Sequence, residues 1–192
     1  MKVIFLDIDG VLNWRGTPER FIDENDIPQK YVGLCPTRIA RLNRILEAVP
    51  EAKVVLSSTW RTFGVEFVSK RLKENGFKGE IFGHTPIRFS HRYRGDEIRD
   101  WMCDWWHDEN EAITHFAILD DDGSRMSAYS WREIIENSDG THSTIEHIDE
   151  DDIHLTPNHV HTSFDGVDGE EGGLQDWCVD LAIKLLTDGP DK

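Results

Sequence analysis

The chain has 192 residues, 38% of them hydrophobic, with seven Trp and nine Phe, which is enough apolar material for a single domain with a substantial core. Its 37 acidic residues against 21 Lys and Arg leave a formal charge of −16, which opposes diffuse binding to nucleic acid, since that affinity rests on cations neutralising phosphates. No apolar run approaches the ~18 residues of a membrane span, and the N-terminus carries neither the basic region nor the cleavage site of a signal peptide.

In chain order, Val3–Leu6 reads as a buried strand that delivers Asp7 and Asp9 at its C-terminal end, and Gly10 then lets the backbone turn sharply. Ligands of open α/β sheets bind at the carboxyl ends of strands. Two acids one residue apart at such an edge repel each other unless a cation or a proton separates their charges. Residues 14–36 are polar, carry Gly and Pro, and read as a small irregular insert near this edge. Thr37 is expected to cap an amphipathic helix bearing Ile39, Leu42, Ile45, Leu46 and Val49 at spacings of three and four. Lys53–Leu56 is a second buried strand, running into Ser57, Ser58 and Thr59. A helix from about Phe63 to Asn75 stops before Gly76.

Glu80–Phe82 is a short strand, followed by a loop in which Arg88, Arg92, Arg94 and Arg99 cluster. A helix over Asp96–His107 places Ile98, Trp101, Met102 and Trp105 on one face, a spacing that reads as core. Phe116–Leu119 forms another strand, ending in Asp120, Asp121 and Asp122. Ser130–Glu136 is expected to be helical, 137–158 an acidic surface excursion, Val160–Thr162 a last strand and Leu174–Leu186 a last helix. Alternating helices and buried strands predict a parallel sheet covered on both faces.

Cys35, Cys103 and Cys178 are odd in number and widely spaced, so free, partly buried thiols and a cytoplasmic location are expected. His159 and His161 share one strand face, with His142, His147 and His154 nearby, but no zinc-site spacing occurs and surface histidines are the expectation. The glycine- and acid-rich stretch from Asp165 to Gly173 lacks the twelve-residue pattern of a calcium loop and reads as a flexible lead-in to the last helix.

The opening Asp7-Ile-Asp9-Gly-Val-Leu12 resembles the first motif of the haloacid dehalogenase-like (HAD) phosphohydrolase superfamily, and three further matches come after it in order. They are Val54-Val-Leu-Ser57, Tyr93-Arg94-Gly-Asp-Glu-Ile98 and Ala117-Ile-Leu-Asp120-Asp121. The C-terminal stretch beginning at Gly173-Leu174 is similar to small HAD proteins associated with phage and bacterial nucleic-acid repair. The resemblance implies one doubly wound, Rossmann-like HAD domain over 1–192. The intervals between its motifs are too short for a large cap domain, so an open active site is expected.

By the same resemblance, Asp7 is the nucleophile and Asp9 the general acid and base. Ser57 holds a phosphoryl oxygen, with Ser58 a second candidate, and Arg94 stands where the family more often has Lys, with Arg88 and Arg92 competing. Mg²⁺ is the implied cofactor, held by the Asp7 carboxylate, the Asp9 main-chain carbonyl and either Asp120 or Asp121. Gly10, Ser58, Arg61 and Arg92 are expected beside the substrate, although a solvated, helix-starting Arg61 is an equal alternative.

The implied activity is a Mg²⁺-dependent phosphomonoesterase working through an aspartyl-phosphate on nucleotides or other small phosphomonoesters. A 3′-phosphatase acting on polynucleotide ends is the alternative, supported by the Arg88–Arg99 cluster and opposed by the net charge. A low-turnover binding protein on the same fold is a third reading, against which the intact pair Asp7 and Asp9 stands.

Overall fold

The computed structural model describes residues 1–15, 17, 33–87, 93–109, 112–122, 130–136, 142–148, 155–165 and 171–190, with 130–136 and 142–148 described by backbone alone. Its centre is β1 (Lys2–Leu6), in which Val3, Ile4, Phe5 and Leu6 are all fully buried. A strand buried on both faces needs no polar alternation, which is why this segment is an unbroken apolar run. On one side β1 pairs in parallel with β2 (Lys53–Leu56), and β2 with β3 (Ile81–His84). On the other side it pairs in parallel with β4 (His115–Asp120), and β4 with β7 (His159–His161). The sheet order is therefore β3-β2-β1-β4-β7.

Alternate residues of the strands feed two layers. Ile4, Leu6, Val54, Leu56, Ala117 and Leu119 pack with α1 (Pro36–Ala48), α2 (Val65–Glu74) and α4 (Asp176–Thr187). Val3, Phe5, Val55 and Ile118 point the other way, onto Ile98 and Met102 of α3 (Arg94–Glu109), where Phe5 meets Trp101 edge-on at 5.4 Å. Each fully buried aliphatic side chain contributes on the order of 1.5–3 kcal/mol. The helices cover both faces, as the alternating pattern predicts. The chain fills one half of the sheet and then crosses by α3 to the far side of β1, so the order reverses between β1 and β4. Such a reversal opens a crevice at the carboxyl ends of the two strands.

Several local expectations are corrected. Ser130–Glu136 is a strand, β5, paired antiparallel with β6 (His142–Ile148), so residues 142–148 belong to a hairpin. Trp131, Ile134 and Ile135 are aromatic and β-branched, and cross-strand pairing prevails over a helical spacing too short to stabilise itself. The cap of α1 is Cys35, because Pro36 supplies the preset backbone angle of a first helical residue. The helix expected from about Phe63 begins at Val65, as α2, because Gly64 at φ +93° separates it from a 3-10 turn over Thr59–Phe63.

The lead-in to α4 is tied down where it is described. Gly173 N–H donates to Ser163 O at 2.8 Å, Leu174 N–H to Val11 O at 2.8 Å, and Arg38 Nε to Gly172 O at 3.0 Å. Of the insert, residues 16 and 18–32 lie outside the described residues, while Leu34 joins the core. Residues 137–141, 149–154 and 166–170 also lie outside them. Cys35 and Cys178 are buried and Cys103 is exposed, all three as free thiols. No helix among the described residues is long and apolar enough to cross a membrane. No large cap domain stands among the described residues; the β5–β6 hairpin is their only second sheet.

Candidate active site

Asp7 leaves β1 with its N–H bonded to Leu119 O at 2.9 Å, which locks the residue against the end of β4. Asp120 closes β4 and Asp121 comes directly after it. One carboxylate oxygen from each of Asp7, Asp120 and Asp121 lies within 4.8 Å of the others. Burial, followed by repulsion from Asp7, pushes the Asp120 carboxyl up to about 8, with Arg94 opposing the rise. The same two causes push Asp121 up to about 6. Asp120 Oδ2 is buried and takes no aligned hydrogen bond, although Arg94 Nε lies 2.8 Å away as an ion pair. An all-oxygen donor set of three converging carboxylates, balanced by a single guanidinium in contact with two of them, fits a hard divalent cation such as Mg²⁺.

The sign of the Asp120 shift bears on stability. Its folded-state value lies above the ordinary 3.8, so across that window the folded chain retains a proton that the unfolded chain has released. Stability of the metal-free protein is therefore expected to fall as pH rises from about 4 to about 8 through this site. A divalent cation takes over the proton's role, so Mg²⁺ should raise Tm more at about pH 8 than at about pH 5. Calorimetry with and without Mg²⁺ at both pH values checks this; an equal Mg²⁺ shift at the two would contradict it.

Arg94, the first residue of α3, gathers the site. Its Nη2 is 3.5 Å from Asp7 Oδ1, its Nε pairs with Asp120, and its Nη1 donates to Ser57 O and lies 3.3 Å from Glu97 Oε2. Burial weakens its charged form, but Asp7, Asp120 and Glu97 together outweigh that and raise its pKa. Arg61 is buried and turned inward. Its Nη1 donates to Ser57 O at 2.6 Å and Ser58 O at 2.8 Å, and its Nη2 to Glu97 Oε1 at 2.5 Å. Burial lowers the Arg61 pKa, with Glu97 opposing. Ser58 Oγ accepts from Trp60 N–H at 3.3 Å and so caps the 3-10 turn. Among the described residues, Ser57 Oγ is buried and finds no hydrogen-bond partner.

Asp9 stands apart from the three-carboxylate cluster. Trp60 Nε1 donates to its Oδ2 at 3.0 Å and Asn13 Nδ2 to its Oδ1 at 2.8 Å. Burial raises its pKa despite these two donors. Gly10 makes the turn between Asp9 and Asn13, with its N–H bonded to Asn13 Oδ1 at 3.0 Å and its carbonyl accepting from Thr162 Oγ1 at 2.7 Å. It has φ +78°, and a Cβ there would lie 2.3 Å from the Asp121 carboxylate. Gly10→Ala is therefore expected to cost about 1–2 kcal/mol for the backbone alone and to displace Asp121, lowering Mg²⁺ affinity. Denaturant unfolding and a Mg²⁺ titration followed by Tm check both parts.

The crevice thus assembles Asp7, Asp9, Gly10, Ser57, Ser58, Arg61, Arg94, Asp120 and Asp121. Arg88 and Arg92 lie outside the described residues. Asn13, Trp60, Glu97 and Thr162 carry no expectation from sequence, yet each bonds a site residue. Asn13 three residues after Gly10, and Glu97 one helical turn after Arg94, are local signals; Trp60 and Thr162 have none, since both act across strands. His159 Nε2 lies 3.0 Å from Asp120 O, and its ring is 5.3 Å from that of His161. Among the described residues, the group of three or more His, Cys, Asp or Glu placed to hold a metal ion is the aspartate cluster, without either histidine. His154 lies outside the described residues.

Fold and crevice together define a Rossmann-like α/β domain whose working edge is a carboxylate cluster with the Arg94 guanidinium against it and that of Arg61 buried behind. Residues 3–141 match the family described as the HAD domain in Swiss Army Knife RNA repair proteins, and the chain belongs to that family. No curated protein and no solved structure matches it significantly. The matched span contains all four motifs, whereas Thr162, Gly173 and α4 lie beyond it. Membership supports phosphatase or end-processing chemistry in general.

Proposed function

We propose that the domain is a Mg²⁺-dependent phosphomonoesterase that works through an aspartyl-phosphate on Asp7, and that its substrate is a phosphorylated nucleic-acid terminus. The observation that carries the reading is the convergence of Asp7, Asp120 and Asp121 on a single point beside Arg94. Asp7, Asp120 and Asp121 would hold the cation, which when bound offsets the repulsion between carboxylate and substrate phosphate.

In the first step an Asp7 oxygen attacks phosphorus, and the bond from phosphorus to the leaving oxygen breaks as Asp9 gives that oxygen its proton. In the second, water attacks the same phosphorus, Asp9 takes the water's proton, and the bond from phosphorus to Asp7 breaks. Alcohol and phosphate leave, and both aspartates return to their starting forms. Arg94 offers fixed positive charge to the transferring group, and Ser57 Oγ, which lacks a partner among the described residues, supports a hydrogen bond to a phosphoryl oxygen. The raised pKa of Asp9 suits a residue that must begin the cycle protonated.

Family membership favours nucleic-acid ends over free nucleotides, and a site with no large cap domain among the described residues suits a polymer terminus. The net charge of −16 keeps the contact local to that end. Mg²⁺-dependent phosphate release from nucleotides, sugar phosphates and 3′- or 5′-phosphorylated oligonucleotides tests the reading. A strong preference for one polymer terminus is expected. Comparable rates on mononucleotides and short oligomers would return the substrate to small phosphomonoesters, and no release from any of them would leave a binding protein.

A further inference from the structure

Asp9 sits two residues from Asp7, yet its carboxylate is not part of the cation-holding cluster. Trp60 is fully buried in the main core, and its only polar side-chain atom, Nε1, meets Asp9 Oδ2 at 3.0 Å. A buried indole N–H left without a partner is costly, so packing of the ring and direction of the bond are coupled. Asn13 is also fully buried. Its Oδ1 accepts from Gly10 N–H at 3.0 Å, which assigns the orientation of the amide and leaves Nδ2 to donate to Asp9 Oδ1 at 2.8 Å. The two donors come from different elements, one following β2 and one following β1. Each holds a different oxygen, so together they fix both the rotamer and the plane of the carboxylate.

We propose that Trp60 and Asn13 are positioning residues that clamp the Asp9 carboxylate in one orientation, so that it transfers protons instead of rotating into the cation's ligand set. The inference rests on the proton-transfer role given to Asp9 above. A carboxylate within reach of a divalent cation would otherwise be drawn toward it, since attraction between opposite charges in a partly buried site exceeds what one weak hydrogen bond restrains. Two N–H donors fixed by packing oppose that rotation, and neither side chain adds charge. Proton transfer in the transition state demands this placement, because a misplaced acid loses much of its effect.

The test compares an alkyl phosphate, whose leaving oxygen needs a proton, with p-nitrophenyl phosphate, whose leaving group scarcely does. Trp60→Phe and Asn13→Ala are expected to lower kcat on the alkyl ester by about tenfold more than on the aryl ester, with KM little changed. A merely structural role would lower both rates in proportion, and that result, or no change in either, overturns the proposal. Asp9→Asn is measured in parallel. If it shows no leaving-group selectivity, the proton-transfer role of Asp9 fails; if it does and the other two variants do not, only the clamp fails. Should Trp60→Phe not fold, Asn13→Ala carries the kinetic test, and the ¹H–¹⁵N signal of the Trp60 indole supplies a second. That signal should shift in Asp9→Asn, and an unmoved signal overturns the bond to Asp9.

Discussion

Asp7→Asn is expected to lose essentially all turnover while leaving the fold intact, and to become more stable than the parent chain without metal at about pH 8. The first effect follows from the nucleophilic role proposed for Asp7, since an amide oxygen neither attacks phosphorus competently nor carries the phosphoryl group. The second comes from electrostatics. Repulsion from Asp7 is the largest cause after burial of the raised pKa values of both Asp120 and Asp121. Removing that charge relieves both groups, and Arg94 still keeps Asp120 and Glu97 as partners. Asp9→Asn should behave differently. The mutant should release about one equivalent of nitrophenol from p-nitrophenyl phosphate and then stall, because the second step still needs a base. Rapid-mix kinetics with mass spectrometry of the quenched protein would find phosphate on Asp7. Phosphate on another residue, or near-normal turnover in Asp7→Asn, would sink the mechanism.

Arg94→Ala should be nearly as damaging, and for two separable reasons. Loss of a fixed donor to the transferring phosphoryl group is expected to lower kcat by about 10²-fold or more. The same change strips a shared cation from Asp7, Asp120 and Glu97, whose side chains are 7%, 0% and 12% exposed. Breaking a buried ion pair by removing one partner costs about 3–5 kcal/mol, so Tm should fall sharply in metal-free buffer. Mg²⁺ should recover part of the stability and none of the lost rate. Arg94→Lys keeps the charge but cannot address Asp7, Asp120 and Ser57 at once, so it should restore stability more than kcat. Arg88→Ala and Arg92→Ala should act mainly on KM, and more on oligonucleotides than on small esters. A large kcat loss in either one, with Arg94→Ala near normal, would move the phosphoryl-stabilising role away from Arg94.

The architecture was largely legible in the amino-acid order because its causes are local. Unbroken apolar runs at Val3–Leu6, Val54–Leu56 and Phe116–Leu119 require strands covered on both sides, and polar residues at their ends mark the sheet edge where ligands gather. The spacing of Ile39, Leu42 and Ile45 likewise requires a helix with one buried face. Where competing signals were short, local reading failed. Ser130–Glu136 carries enough apolar spacing for a helical turn, but the ladder to His142–Ile148 makes it a strand, and no window of seven residues contains its partner.

The carboxylates and Arg94 could be nominated from motif order, whereas their working relations exist only once the strands are side by side. Asp7 and Asp120 are 113 positions apart in the chain, and the β1–β4 pairing brings their oxygens within 4.8 Å. The same pairing accounts for the raised pKa values, which need both burial and a like charge nearby. Trp60, Glu97 and Thr162 acquire their roles the same way: a hydrogen bond depends on a distance of about 3 Å and a direction, and neither is set by residue type. Arg61 shows the converse. Its sequence neighbourhood suggested a substrate clamp or a solvated side chain, but the fold turns its guanidinium inward onto Ser57, Ser58 and Glu97, where burial demands partners.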